Sequence, residues 1–142
     1  MILLLYMDIY KKLALLNFPK GEYVIVGGSM TAHGIREAHD LDILVTPNLY
    51  KTLLNSGEYR QCTCEQCMQT SRLMLKSDGV DILPNFMFGN YIGDTKSLIE
   101  NADIIDDYPF IKLEEFAKFK KELGKPKDLE DILLIENYLK NN

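Results

Sequence analysis

Residues 24–45 read VIVGGSMTAHGIREAHDLDILV, in which a Gly-Gly-Ser turn separates two apolar runs. The first run is short and rich in β-branched residues, which predicts a buried strand over residues 23–26. The second run predicts another strand over residues 41–45. Between them, Gly27 and Gly28 permit a tight backbone turn that approaches a ligand without interference from a Cβ atom. This stretch therefore predicts both the centre of the fold and the first candidate binding feature.

Ser29 follows the glycines and is expected to cap a short helix over residues 29–35. Free N–H groups at the start of a helix favour an anion, so a phosphate group is the expected ligand there. The sequence contains neither the P-loop pattern G-x-x-x-x-G-K-[ST] nor the dinucleotide pattern G-x-G-x-x-G. The glycines therefore indicate a phosphate site of another kind.

Asp40 and Asp42 lie at the start of the second predicted strand. Residues two apart in a strand project to the same side, where two carboxylates repel each other unless a cation lies between them. Mg²⁺ takes oxygen ligands and commonly uses one or two carboxylates together with substrate phosphates. Asp81 is a third candidate, because it is a charged residue in the apolar run VDIL. Three such aspartates suit a two-metal site for phosphoryl or nucleotidyl transfer.

Helices and a pair of strands are predicted around this centre. The helices are expected over residues 2–16, 47–55 and 113–123 and from residue 128 onward, and the strands within residues 72–83. Weaker patterns predict a strand or loop over residues 60–70, irregular structure over 84–97 and a helix-to-loop passage over 96–110 that ends before Pro109. The order predicts one α/β (α+β) domain over residues 1–142, with a mixed sheet flanked by helices and a C-terminal pair of helices.

The two C-terminal helices carry further candidates. Lys120 lies four residues after Phe116 on the apolar face of its helix, where it either extends to solvent or points toward a phosphate. Residues 112–127 contain six lysines and three glutamates, a locally positive segment in a chain of net charge −5. In the last helix, Asp128 is expected to be the N-cap, with Asp131 in a capping-box position. The apolar stripe of that helix is predicted from Leu129, Ile132, Leu133 and Leu139.

Composition narrows the class of protein. A chain of 142 residues fits one domain with one core. Its acidic charge, with a pI near 5.0, argues against a general nucleic-acid binder. The N-terminal MILLLYM lacks a basic region and a cleavage site, and no stretch approaches the roughly 18–20 apolar residues of a membrane span. A cytoplasmic protein without membrane association is expected.

The Gly-Gly-Ser turn followed by Asp-x-Asp resembles the nucleotidyltransferase superfamily, the DNA polymerase β-like fold, and is most similar to its small AbiEii-like branch. The resemblance covers roughly residues 22–83 and 110–139. It implies a nucleotidyltransferase-like sheet and Mg²⁺-dependent transfer of a nucleoside monophosphate from a triphosphate to a hydroxyl of an acceptor, which is a small molecule, a tRNA or a protein. Its metal-binding and catalytic positions fall on Asp40, Asp42 and Asp81.

The same resemblance implies nucleotide-binding roles for a second set of residues. These are Gly27, Gly28, Ser29, Lys120 and Lys125. Lys125 stands where the branch has an arginine. A single ammonium charge therefore replaces a guanidinium that can bind phosphate through two hydrogen bonds. The resemblance also implies an alternative, an antitoxin-like or catalytically weak protein that binds a partner. Because the chain has little room for an acceptor domain, a second copy or a partner protein is expected to complete the cleft.

Three cysteines cluster as CTCEQC, with Cys62, Cys64 and Cys67 at CxCxxC spacing. An odd, local group is a poor disulfide framework. Two interpretations stay open, free thiols in a reducing compartment and a soft-metal site. The set is one ligand short of the four that a structural zinc site uses.

Overall fold

The computed structural model describes residues 2–37, 41–70 and 73–142. The helices are α1 (Ile2–Leu16), α2 (Ser29–Ala32), α3 (Pro47–Asn55), α4 (Glu65–Thr70), α5 (Thr95–Glu100), α6 (Leu113–Leu123) and α7 (Pro126–Asn141). The strands are β1 (Tyr23–Gly27), β2 (Leu41–Val45), β3 (Arg60–Gln61), β4 (Leu75–Ser77), β5 (Val80–Leu83), β6 (Met87–Phe88), β7 (Tyr91–Ile92), β8 (Asp103–Ile105) and β9 (Tyr108–Phe110).

Seven of the described strands form one mixed sheet in the order β3-β4-β5-β2-β1-β9-β8. β2 lies at its centre, antiparallel to β1 and parallel to β5. β1 also pairs in parallel with β9, and a separate hairpin is formed by β6 and β7. The predicted α/β (α+β) class with a mixed sheet and a C-terminal helix pair is therefore confirmed.

Helices cover both faces of the sheet, because the central strands are apolar on both sides. On one face, Ile9 of α1 and Leu49 of α3 belong to the same buried cluster as Ile43 of β2. On the other face, Phe116 of α6 and Leu44 of β2 share a second cluster. Residues of β2 alternate between the two faces. Asp42 therefore belongs to the face that α6 and α7 cover.

Local capping explains why two predicted helices have the expected bounds. Thr46 precedes α3, and its Oγ1 accepts a hydrogen bond from the N–H of Leu49 at 3.2 Å. Pro47 occupies the first turn of α3, where a proline is favoured. Gly124 ends α6 with a φ of 64°, a left-handed conformation that glycine adopts without strain.

Three segments with weak patterns contain regular structure that the sequence did not predict. The segment 60–70, predicted as strand or loop, contains the short strand β3 but also α4, which was not predicted, and the segment 84–97 contains β6, β7 and the start of α5. Pro109 lies within β9, paired with β8 through a turn at Asp106 and Asp107, both of which have positive φ. The hairpin was missed because Asp-Asp is a weaker turn signal than Asn-Gly or Asp-Gly, and because a proline argues against a strand.

The last helix has a different inward face from the predicted one. Its buried residues are Asp128, Asp131 and Ile135. The predicted stripe is wrong, because Leu129, Leu133 and Leu139 are exposed. The carboxylates of Asp128 and Asp131 are buried because basic side chains of other elements form ion pairs with them.

Candidate functional site

A row of polar residues crosses the sheet from β1 to β3. Gly27 on β1 lies opposite Asp42 on β2, which lies opposite Asp81 on β5. Asp81 in turn lies opposite Lys76 on β4, and Lys76 opposite Arg60 on β3. Register partners project to the same side of a sheet. The structure therefore places two of the three predicted aspartates side by side, and the third, at position 40, lies outside the described residues.

The side chain of Asp42 occupies space that Gly27 leaves open. A Cβ atom at position 27 would lie 2.7 Å from Cγ and 2.9 Å from Cβ of Asp42. Gly28 has a φ of 116°, and a Cβ atom there would lie 3.2 Å from Cδ2 of Leu41. Both glycines are thus required by the geometry of the turn, one by a close approach and one by its backbone conformation.

Ser29 has a different role from the predicted N-cap. Its side chain is fully buried, and its Oγ donates a hydrogen bond to the carbonyl oxygen of Ile25 at 2.9 Å. The N-cap of α2 is Gly28, and the helix ends at Ala32 rather than at residue 35. A buried hydroxyl needs a partner, and the carbonyl of Ile25 within β1 supplies one. The hydrogen bond from the Ser29 hydroxyl therefore holds the glycine turn against β1.

A cleft of about 350 Å³ opens beside the glycine turn. It is lined by Gly27, Gly28, Met30, Arg36, Glu37, Asp42, Phe116, Lys120, Lys127 and Asp128. Three of these side chains are basic and three are acidic. A cleft with both signs of charge suits a ligand that combines anionic groups with a cation, as a metal-bound phosphate does.

Lys120 is buried at the wall of this cleft, only 7% exposed. Its Nζ lies 2.9 Å from Oδ2 of Asp131 and 3.7 Å from Oδ1 of Asp128. The same Nζ lies 4.6 Å from the ring centroid of Phe116. The prediction that Lys120 lies on the buried face of α6 is confirmed, and its ammonium group points inward to the carboxylates of Asp128 and Asp131.

Asp131 joins two basic residues, and the prediction of a capping-box role for it is wrong. Its Oδ2 also accepts a hydrogen bond from Nη2 of Arg36 at 3.0 Å, and it is 3% exposed. Asp128 is not the N-cap either, because Pro126 starts α7 two residues earlier and Lys125 is the N-cap. The backbone N–H of Lys125 donates to Oδ2 of Asp128 at 3.2 Å.

Lys127 lines the cleft, in place of Lys125, which was the predicted nucleotide-binding residue. Lys125 is the N-cap of α7, whereas Lys127, two residues later, lines the cleft. Lys127 was counted in the basic segment but was not selected as a site residue.

Asp81 already has a basic partner within the sheet. Nζ of Lys76 lies 3.2 Å from Oδ1 of Asp81, and both side chains are about one third exposed. Desolvation lowers the pKa of Lys76, but the hydrogen bond and the charge of Asp81 more than offset this and raise that pKa above its usual value. The pair lines a neighbouring cavity of about 380 Å³. Lys76 was missed by sequence reasoning, although the pairing of residues 75–77 with β5 implies it.

Comparison with known proteins gave no family assignment. No family model matches the chain, and no curated protein matches it. In the part of the chain that the structure describes, the helices are too short or too polar to cross a membrane.

Proposed function

We propose that the cleft binds a nucleoside triphosphate with Mg²⁺ and that the protein transfers the nucleoside monophosphate to a hydroxyl group of an acceptor. The observation that carries this proposal is the register of Asp42 with Asp81 beside the glycine turn. Asp42 lines the cleft with basic walls, and Asp81 lines the neighbouring cavity. The two carboxylates come from strands that the chain separates by about 40 residues.

The acidic residues of the row fit a hard divalent cation. Asp42 and Asp81 offer carboxylate oxygens, which Mg²⁺ prefers, and Gly27 leaves room for the first of them. Asp40 precedes β2 and is proposed as a further ligand. When bound, Mg²⁺ would offset the negative charge of the phosphates and of the leaving pyrophosphate.

The basic walls would hold the triphosphate. The ammonium of Lys120 is fixed by Asp131, so its charge has a defined position rather than a mobile one. Lys127 and Arg36 add charge at the rim of the same cleft. The turn at Gly27 and Gly28 lets a phosphate approach the backbone closely. Such fixed charges accelerate phosphoryl transfer mainly by positioning and by stabilising developing charge.

The reaction needs one bond to form and one to break. The acceptor hydroxyl oxygen would attack the α-phosphorus, the bond from that phosphorus to the bridging oxygen would break, and pyrophosphate would leave. The carboxylate of Asp81 is proposed to take the hydroxyl proton.

The acceptor and the assembly belong to the same proposal. A small molecule, a tRNA or a protein would supply the hydroxyl group. A second copy of the chain, or a partner protein, would complete the acceptor side of a cleft that one short domain leaves open. The proposed place of action is the cytoplasm. Analytical ultracentrifugation that shows a fully active monomer would contradict the proposed assembly.

The direct test is transfer of label from nucleotide to acceptor. The protein is incubated with each α-labelled nucleoside triphosphate, Mg²⁺ and cell extract, and label is followed into small-molecule, tRNA and protein fractions together with pyrophosphate release. Asp42→Asn should abolish both signals while circular dichroism stays unchanged. Asp78→Asn changes an exposed turn residue in the same way and should retain them.

Three results would count against the proposal. Absence of pyrophosphate release with every nucleotide would contradict the proposed activity. A protein that co-purifies tightly with the chain, again without pyrophosphate, would favour the antitoxin-like alternative. Equal activity of wild type and Asp42→Asn would show that the polar row is not the site of nucleotidyl transfer.

A further inference from the structure

The three cysteines converge on one point at the opposite end of the polar row from Gly27. The sulfur atoms of Cys62, Cys64 and Cys67 all lie within 4.8 Å of one another. Cys62 follows β3, and its backbone N–H donates to the carbonyl of Met74 at 2.7 Å. The carbonyl of Cys64 accepts from the N–H of Met68 at 3.0 Å, so Cys64 directly precedes α4 and Cys67 lies in its first turn. The unexpected helix in this segment is what brings the thiols together.

The spacing of the sulfur atoms is close to that of ligands around one metal ion. Tetrahedral Zn–S bonds of about 2.3 Å place ligand sulfur atoms about 3.8 Å apart. A contraction of about 1 Å or less would therefore bring the three sulfur atoms into a common coordination shell. Rotation about the side-chain bond of Cys64, which is exposed, can supply this movement.

We propose that Cys62, Cys64 and Cys67 bind one thiophilic cation of the Zn²⁺ class, with the fourth coordination position open to water or to an added ligand. Thiolates select soft or borderline cations, whereas the carboxylates of the polar row select hard ones. The two sites would thus hold different ions within one domain.

The surroundings of the thiols supply charge that such a site needs. A divalent ion with three thiolates keeps one net negative charge. Lys76 lies near enough to Cys62 for their charges to interact, and it also pairs with Asp81. Lys76 would therefore stand between the two cation sites and offset negative charge in both.

The Cys67 thiol is poorly suited to redox or nucleophilic chemistry when no metal is bound. Burial raises the pKa of the Cys67 thiol to about 12, and hydrogen bonding among the three cysteines adds to the effect. Reactive cysteines have the opposite property, a lowered pKa in a basic, accessible environment. Cation binding would displace thiol protons, as it does at other thiolate sites.

The test uses Co²⁺ as a spectroscopic probe for the zinc position. The full chain is purified under reducing conditions, treated with a chelator and titrated with Co²⁺. We expect a thiolate-to-cobalt absorption band that saturates at one equivalent and disappears when Zn²⁺ is added. Asp42→Asn should leave the band unchanged, so this result is separate from the fate of the proposed transferase activity.

Cys64→Ser is the decisive variant, because the exposed side chain can be replaced without disturbing the core. It should lower Co²⁺ affinity by more than about 100-fold, since loss of an outer-shell partner alone costs roughly 10–100-fold. Thr63→Ser, also exposed, is the matched control and should bind as wild type. A folded wild type without the band, or Cys64→Ser with wild-type affinity, would overturn the proposal.

Discussion

Gly27 fixes the position of the Asp42 carboxylate by having no side chain. In Gly27→Ala the new methyl group would meet the Asp42 side chain, so the carboxylate must move. We expect weaker Mn²⁺ binding by calorimetry and a loss of about 1–3 kcal/mol in the free energy of unfolding, which is typical of overpacking. Gly21→Ala, at a strained but open position, is the control and should lower stability without changing cation affinity.

Lys120 neutralises buried carboxylates, so its removal should be costly. Lys120→Met would leave Asp128 without its ion-pair partner on α6 and Asp131 with only Arg36. Breaking a buried ion pair from one side costs about 3–5 kcal/mol. Urea denaturation should therefore show a large fall in unfolding free energy. Lys121→Met, on the exposed neighbour, should change it by no more than about 0.5 kcal/mol, and similar values for the two variants would contradict this role.

Lys76 competes with any cation for Asp81. Lys76→Met should raise Mg²⁺ affinity by up to about fivefold, which corresponds to the roughly 1 kcal/mol upper range of a partly exposed ion pair. Isothermal titration with Mg²⁺ measures this directly, and Lys51→Met on α3 serves as the control. Unchanged or weaker Mg²⁺ binding in Lys76→Met would mean that Asp81 is not a ligand.

At the scale of elements, α3 shows how much a single cap contributes. Thr46→Ala removes the side-chain acceptor for the N–H of Leu49 and should cost about 1 kcal/mol. Thr52→Ala makes the same change within α3, where alanine is the better helix former, and should leave stability equal or higher. Thermal denaturation of the two variants should give melting temperatures that differ in this order, and equal shifts would contradict the capping role.

The helices α6 and α7 show where sequence periodicity predicts the structure and where it fails. The apolar stripe of α6 was predicted correctly, because Phe116 and Leu113 face an apolar layer. The apolar stripe of α7 was predicted wrongly, because its inward face carries Asp131, which pairs with the basic groups of Lys120 and Arg36. Periodicity assumes an apolar interior, and here the interior beside the cleft is ionic.

For the whole molecule, local signals predicted the central strands and most helices, while contacts between distant segments had to come from the structure. The predicted strands 23–26 and 41–45 correspond to β1 and β2, since each is a compact apolar run. The register of Asp42 with Asp81 depends on a parallel pairing that no local pattern specifies. The partners of Asp131 likewise come from α6 and from the loop after α2, far apart in sequence.

The order in which the segments are synthesised follows from this arrangement. β2 leaves the ribosome well before β5, and β5 leaves it about 40 residues before Lys120, a delay of roughly 2–8 s at ordinary translation speeds. During that interval the nascent sheet carries its carboxylates without the lysines of the last two helices. Until α6 and α7 are made, Lys76 is the basic partner of Asp81 within the sheet, and a divalent cation such as Mg²⁺ would be a suitable counter-charge for Asp42.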